Sequence, residues 1–255
     1  MARKKAPLIP HPNWLQRVHG WWFFLWLGLG FFILYPWFLI TLSHKKLYKA
    51  AHFGRKMWGW LLMTMSGLWL KVKHEVPFDS TKTYVIVANH TSYVDIPAIT
   101  CGIPGYASFV AKSELAKIPL FGRFFKTIDI GVDRKNARDG ANAFKEANRR
   151  LTEDKTNVVI FPEGTIGTWV PELGKFKDGA FKAAIATGAY ILPVTLADNW
   201  IKVTEYGPVA ARPGKLRMFV HRPIDTAHLK PEEAGELKQK VFHIIESKLN
   251  EYAGK

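Results

Sequence analysis

The stretch VANHTSYVDIP, residues 88–98, sets an imidazole (His90) and a carboxylate (Asp95) five positions apart, directly after an apolar run. On one continuous helix, steps of about 100° would leave them about 140° apart. A turn leading into a helix can fold one back on the other, with Thr91 or Ser92 as the cap. If Asp95 accepts a proton from one ring nitrogen, the other becomes an outward lone pair, and the two residues act as a general base. Such a base deprotonates an alcohol brought in as substrate and needs no protein nucleophile. The alternative is a buried histidine that merely hydrogen-bonds a neighbour. The pair alone does not separate these.

A second candidate is FPEGTIG, residues 161–167. An apolar run ends, Pro162 fixes a turn, and Glu163, Gly164 and Thr165 follow. Small residues here let a ligand approach backbone N–H groups, although an ordinary strand-ending turn has the same composition. A lipid hydrolase using Ser92 or another nucleophile is a competing class. No G-x-S-x-G stands near an expected strand end, which argues against it. The single cysteine, Cys101, excludes an internal disulfide and a cysteine-based metal site. No metal is implied.

These residues need elements to position them. Residues 83–88, 107–111, 157–161, 190–196 and 216–220 are short, β-branched and aromatic, and read as buried strands. Helices lie between them. In 138–152, Ala141, Phe144, Asn148 and Leu151 share a face. In 178–187, Phe181, Ala184 and Ile185 do likewise, and Gly188 is the stop. In 231–251, Pro231 takes the first turn and Leu237, Val241, Ile244, Ile245 and Leu249 form the apolar stripe. This alternation predicts an α/β fold: a mixed, largely parallel sheet covered by helices. Pro193 predicts an edge strand or a bulge. Ligands of such sheets collect at the carboxyl ends of the strands, where His90 and Glu163 both emerge.

The charge is uneven. Of the net +15, eleven Lys and Arg precede Glu75, the first acidic residue, leaving +4 for the remaining 181 residues. Eight of the ten Trp also precede Glu75. Between these cations runs WWFFLWLGLGFFILYPWFLITL, residues 21–42, uncharged and about long enough to cross a hydrocarbon layer of ~30 Å. Nucleic acid would account for the cations but not for this run, whereas an anionic lipid surface accounts for both. Residues 57–70 are too short to span and suit an interfacial or re-entrant segment. The cations flanking the first run are nearly balanced, which also fits a hairpin with both ends on one side, Pro36 supplying the bend. The expected division is a basic, Trp-rich, helical membrane-binding segment over 1–70 and an α/β catalytic domain over 71–255. A non-enzymatic basic binder of membrane or nucleic acid explains the N-terminus but leaves His90 and Glu163 without a purpose.

NHTSYVD (89–95), KSEL (112–115), GVDR (131–134), FPEGT (161–165) and LPV (192–194), in this order and spacing, resemble the glycerolipid acyltransferase family over roughly residues 70–220. The closest likeness is to the bacterial 1-acyl-glycerol-3-phosphate acyltransferases. The resemblance implies a membrane-associated enzyme, its catalytic domain on the cytoplasmic face of the inner (plasma) membrane. It moves an acyl chain from acyl-CoA or acyl carrier protein to the sn-2 hydroxyl of a lysophospholipid, giving phosphatidic acid. It implies no cofactor beyond that donor, membrane lipids as partners, and no nucleic acid. By the same resemblance His90 is the base, Asp95 orients it, and Glu163 organises the acceptor site. Lys112 and Arg134 bind phosphate, and backbone N–H groups near Gly164 and Thr165 are candidates to hold the oxyanion. Family members often carry a basic residue after FPEGT, where Ile166 stands here. Lys175 or Lys177 is the candidate replacement, or the acceptor is a different lysolipid.

Overall fold

Asn13 opens a 28-residue helix, α1 (Trp14–Thr41), with reciprocal bonds to Gln16. A turn over residues 42–47 leads into α2 (Tyr48–Met65), which packs back along α1. The computed structural model describes residues 12–133, 136–167, 169–204 and 209–253. The bend therefore lies after Thr41, and α1 runs straight through Pro36. Aromatic packing holds that stretch: Phe38 sits edge-on to Phe124 with centroids 4.9 Å apart, and the Trp37 indole donates to Ala50 O at 3.0 Å.

The chain continues as β1 (Leu68–His74), β2 (Tyr84–Ala88), α3 (Asp95–Gly102), β3 (Ala107–Lys112), α4 (Arg123–Thr127) and β4 (Ile130–Val132). Then come α5 (Ala137–Thr152), β5 (Asn157–Ile160), α6 (Gly179–Thr187), β6 (Tyr190–Leu196), α7 (Asn199–Lys202), the short pair β7 (Val203–Thr204) and β8 (Ala210–Ala211), β9 (Gly214–Val220) and α8 (Ala234–Ala253). Seven strands form one sheet in the order β1-β9-β6-β2-β5-β3-β4. Neighbours are parallel except β6 and β9. The mixed, largely parallel α/β sheet expected from the strand–helix alternation is the one observed.

Strand β2 is buried at every position, and alternate residues feed two cores. Val85 and Val87 face α5, α6 and α8 through Ala147, Leu151, Phe181 and Val241. Tyr84 and Ile86 face α3 through Ile99. Three details correct the sequence expectations. Strand β1 extends the sheet from residue 68, where an interfacial segment was expected to continue. In α5 the inner stripe is Ala143, Ala147 and Leu151, while Ala141 is exposed. The register is turned by Arg150, whose buried guanidinium donates to Ser108 Oγ and to the Ile128 and Thr127 carbonyls. Pro193 lies in an interior strand. It is tolerated because it faces the β9 flank at the end of that ladder, where only its carbonyl is used, accepting from His221 N at 3.0 Å.

Candidate active site

Strands β6, β2, β5, β3 and β4 run in one direction, so their carboxyl ends share a rim. His90 follows β2. Glu163 follows β5 on one side, and Asn199 follows β6 on the other. Asn89 locks this arrangement: its side chain donates to Leu196 O at 2.9 Å and accepts from Leu196 N at 2.8 Å, joining the ends of β2 and β6.

His90 and Asp95 meet, with Nδ1 2.9 Å from Oδ2. Asp95 stands in the first turn of α3 and is fully buried. The turn is built the opposite way from the expectation. Neither Thr91 nor Ser92 caps α3, whose cap residue is Val94 without a side-chain bond. Instead, Asp95 Oδ2 reaches back to the Thr91 and Ser92 N–H groups at 2.6 and 2.9 Å. Its other oxygen accepts from Asn199 Nδ2 at 2.7 Å. A carboxylate held by this many donors is fixed in place and stays an acceptor toward the ring. The imidazole stacks on Phe161, centroids 4.0 Å apart and planes 17° apart. With Nδ1 committed and the ring face covered, Nε2 is the edge left for a substrate. Ser92 is buried, its hydroxyl bonded to Val203 O at 2.6 Å, so it is not placed to serve as a nucleophile.

Glu163 is buried and spends both oxygens on the protein. Oε1 accepts from His90 N at 2.9 Å, and Oε2 accepts from the Trp169 indole at 2.6 Å and Gly174 N at 2.8 Å. Burial pushes its carboxyl above the usual range, and these three donors pull it back. Glu163 therefore ties the 163–174 loop to the backbone of the base. The Gly164 N–H is taken by Phe161 O at 3.0 Å, so of the two suggested oxyanion donors the Thr165 N–H remains.

The cations divide. Lys112 ends β3 at the shared rim, is exposed, and pairs with Glu114 at 3.0 Å. Arg134 lies outside the described residues. Gly164 has φ +78°, and a side chain there would meet Lys177 Nζ at 3.0 Å from its Cβ. The Lys177 ammonium thus rests on the turn that follows β5, its backbone bonded to Pro162 O at 2.9 Å. Lys175 is exposed. Beside the rim opens an apolar cavity of about 460 Å³ between α1, α2, α3 and the 113–127 segment. Phe31, Trp58, Tyr93, Ile96 and Phe124 line it, with the buried Arg55–Asp129 pair (2.8 Å) also on its wall. Sequence reasoning missed Asn89, Asn199, Phe161 and Trp169. Only Asn89 and Phe161 lay inside a noted motif, and nothing local marks Asn199.

A family model described as Acyltransferase matches residues 69–197. The chain is 29% identical over 187 residues to the 1-acyl-sn-glycerol-3-phosphate acyltransferase of Haemophilus influenzae, covering 71% of this chain and 75% of that protein. It is 30% identical over 200 residues to an uncharacterized acyltransferase of Schizosaccharomyces pombe, covering 74% and 67%. It is 28% identical over 181 residues to the mouse 1-acyl-sn-glycerol-3-phosphate acyltransferase alpha, spanning 69% of this chain and 62% of the mouse protein. Its fold matches the crystal structure of the 1-acyl-sn-glycerophosphate acyltransferase PlsC from Thermotoga maritima, with a TM-score of 0.77 at 24% identity over 94% of this chain and 97% of that one.

Proposed function

The chain belongs to the acyltransferase family, and from that premise we propose that it transfers a fatty acyl group from a thioester donor to the sn-2 hydroxyl of 1-acyl-glycerol 3-phosphate, giving phosphatidic acid. One observation carries this reading: His90 is held through Nδ1 by the fully buried Asp95, and its Nε2 edge is left to face an incoming group. The acceptor hydroxyl gives its proton to Nε2 as its oxygen attacks the thioester carbonyl carbon. Asp95 stabilises the charged ring that forms. The Thr165 N–H is the donor offered to the oxyanion. The tetrahedral adduct collapses, the C–S bond breaks, and the ring returns its proton to the departing thiolate. Products are the diacyl lipid and the free thiol of coenzyme A or acyl carrier protein. No residue is acylated, and the donor is the only carrier the reaction requires.

Lys177, with Lys112 and Arg134, supplies positive charge for the acceptor phosphate. The apolar cavity takes an acyl chain. Glu163 acts as a positioning residue through the His90 backbone and the Trp169 loop.

Helix α1 is long and apolar enough to cross a membrane. Yet it buries Gly20, Phe23, Phe31 and Phe38 along most of its length, and Gly20 lies directly against Ala210. A helix fixed to the domain along its length cannot also stand across a bilayer. We infer that α1 and α2 lie in one leaflet, with Trp21, Leu25, Phe32 and Ile33 exposed toward lipid. A thioester donor dissolved in the cytoplasm supports a catalytic rim on that face. Balanced basic flanks suit its anionic lipids. The test is an acyl-transfer assay with a panel of lysolipids, each with acyl-CoA and with acyl carrier protein. Turnover of 1-acyl-glycerol 3-phosphate above its uncharged and choline-bearing analogues supports the reading. Preference for another lysolipid replaces the acceptor, and hydrolysis without acceptor overturns the reaction.

A further inference from the structure

The segment from Lys112 to Thr127 has features that the chemistry above does not use. It folds as a 3-10 turn (Ser113–Lys117), a tip at Ile118, Pro119 and Leu120, and α4. The tip is firmly built. Gly122 N donates to Ile118 O at 2.9 Å, and Gly122 lies so close to Ala116 O that a Cβ would sit 2.1 Å from it. Phe121 packs on Phe31 of α1 at 5.9 Å. The same tip leaves Ile118 46% and Leu120 41% exposed.

Leu120 has φ +66°. A leucine in the left-handed region is disfavoured against Gly, Asn or Asp, and here its side chain faces outward. With 41% of it exposed, burial alone does not account for leucine on this backbone, and the exposed part is free to meet something outside the chain. Four cations and one carboxylate, Glu114, lie in this segment. Lys112 pairs with Glu114, while Lys117, Arg123 and Lys126 are exposed around the tip. Ile118 and Pro119 line the apolar cavity together with Phe32, which is exposed on α1.

We propose that the Ile118–Leu120 tip inserts into the same lipid leaflet as α1, with Lys117, Arg123 and Lys126 on anionic headgroups, and forms the lip through which the cavity opens into the acyl layer. The proposal rests on the in-plane placement of α1. An acidic carrier protein would explain the cations but not the outward leucine and isoleucine.

Single cysteines placed by Ile118→Cys, Leu120→Cys, Leu29→Cys (α1) and Lys240→Cys (α8), in a Cys101→Ala background, carry a polarity-sensitive fluorophore. They are mixed with vesicles of phosphatidylglycerol and phosphatidylcholine with brominated acyl chains. Quenching at 118 and 120 but not at 240 supports the proposal. No quenching at 118 and 120 overturns it. With position 29 quenched, the tip alone is misassigned; with position 29 also unquenched, the in-plane placement of α1 falls too. A response at 118 and 120 to acyl carrier protein, with none to vesicles, overturns it in favour of protein docking. Leu120→Asp, which suits the left-handed backbone, lowers turnover of vesicle-embedded lysolipid about tenfold and leaves turnover of a short-chain, water-soluble lysolipid unchanged. Equal turnover on vesicles overturns the proposal.

Discussion

Asp95→Asn separates orientation of the base from its electrostatic support. In the native site Oδ2 faces three N–H donors, from Thr91, Ser92 and the His90 ring, and Oδ1 faces the Asn199 amide. An asparagine with its oxygen toward the three donors keeps all of them. Its NH2 then faces Asn199, whose own amide oxygen is buried without a partner. Turning the Asn199 amide over presents that oxygen to the new NH2 and leaves the Asn199 NH2 where its oxygen stood, so the number of unpartnered buried groups is unchanged. Stability should change by no more than about 1 kcal/mol. The rate should not survive as well. A charged ring and a carboxylate about 4 Å apart, at an effective dielectric constant of about 20, attract by about 4 kcal/mol. Losing that support for the charged ring slows the chemical step by about 10³-fold. The assay is release of coenzyme A thiol from acyl-CoA over lysolipid vesicles, with thermal unfolding measured alongside. An Asp95→Asn protein that folds normally and keeps more than a tenth of the native rate would refute the role assigned to the carboxylate.

Other residues give independent tests. Glu163→Gln leaves at least one of three buried donors facing an NH2, so it should cost about 1–3 kcal/mol in stability and lower kcat through the displaced His90 backbone; native melting behaviour with native kcat would count against it. Lys177→Met should raise KM for 1-acyl-glycerol 3-phosphate by about tenfold or more, while Lys175→Met should not; the reverse order would move the phosphate site. His221 is buried against Thr195 at 2.8 Å, and burial lowers its pKa to about 4. Its neutral form is favoured in the fold, so its stabilising effect is complete above the unfolded pKa of about 6.5 and is lost as pH falls through about 4. Urea unfolding should therefore show His221→Gln losing less stability than the native chain between pH 7 and 4.5, by up to about 3 kcal/mol; parallel losses would contradict that.

What could be read from the sequence was local. Unbroken β-branched runs such as YVIVA, buried throughout, and NVVI, buried at all but its last position, need no partner to be recognised as strands. Parallel order then put His90 and Glu163 on one rim. What was missed depended on distant residues. Strand β1 alternates Lys71 and Lys73 with apolar neighbours because it is an edge, and its LWL start merged with the helix before it. Asn199 reaches Asp95 across 104 positions, a separation at which spacing carries no signal. The inner face of α5 was set by a buried arginine that composition ranks as surface. Ile166 pointed to a missing cation, but only the fold of the 163–177 loop distinguishes Lys177 from Lys175.

The central claim is that the His90 imidazole takes the proton of the acceptor hydroxyl. The most direct measurement is the acyl-transfer rate of His90→Ala on vesicles to which it binds as the native protein does. The expected result is a fall of about 10²–10⁴-fold with vesicle binding intact. A rate within tenfold of native, on the same vesicles, would contradict it.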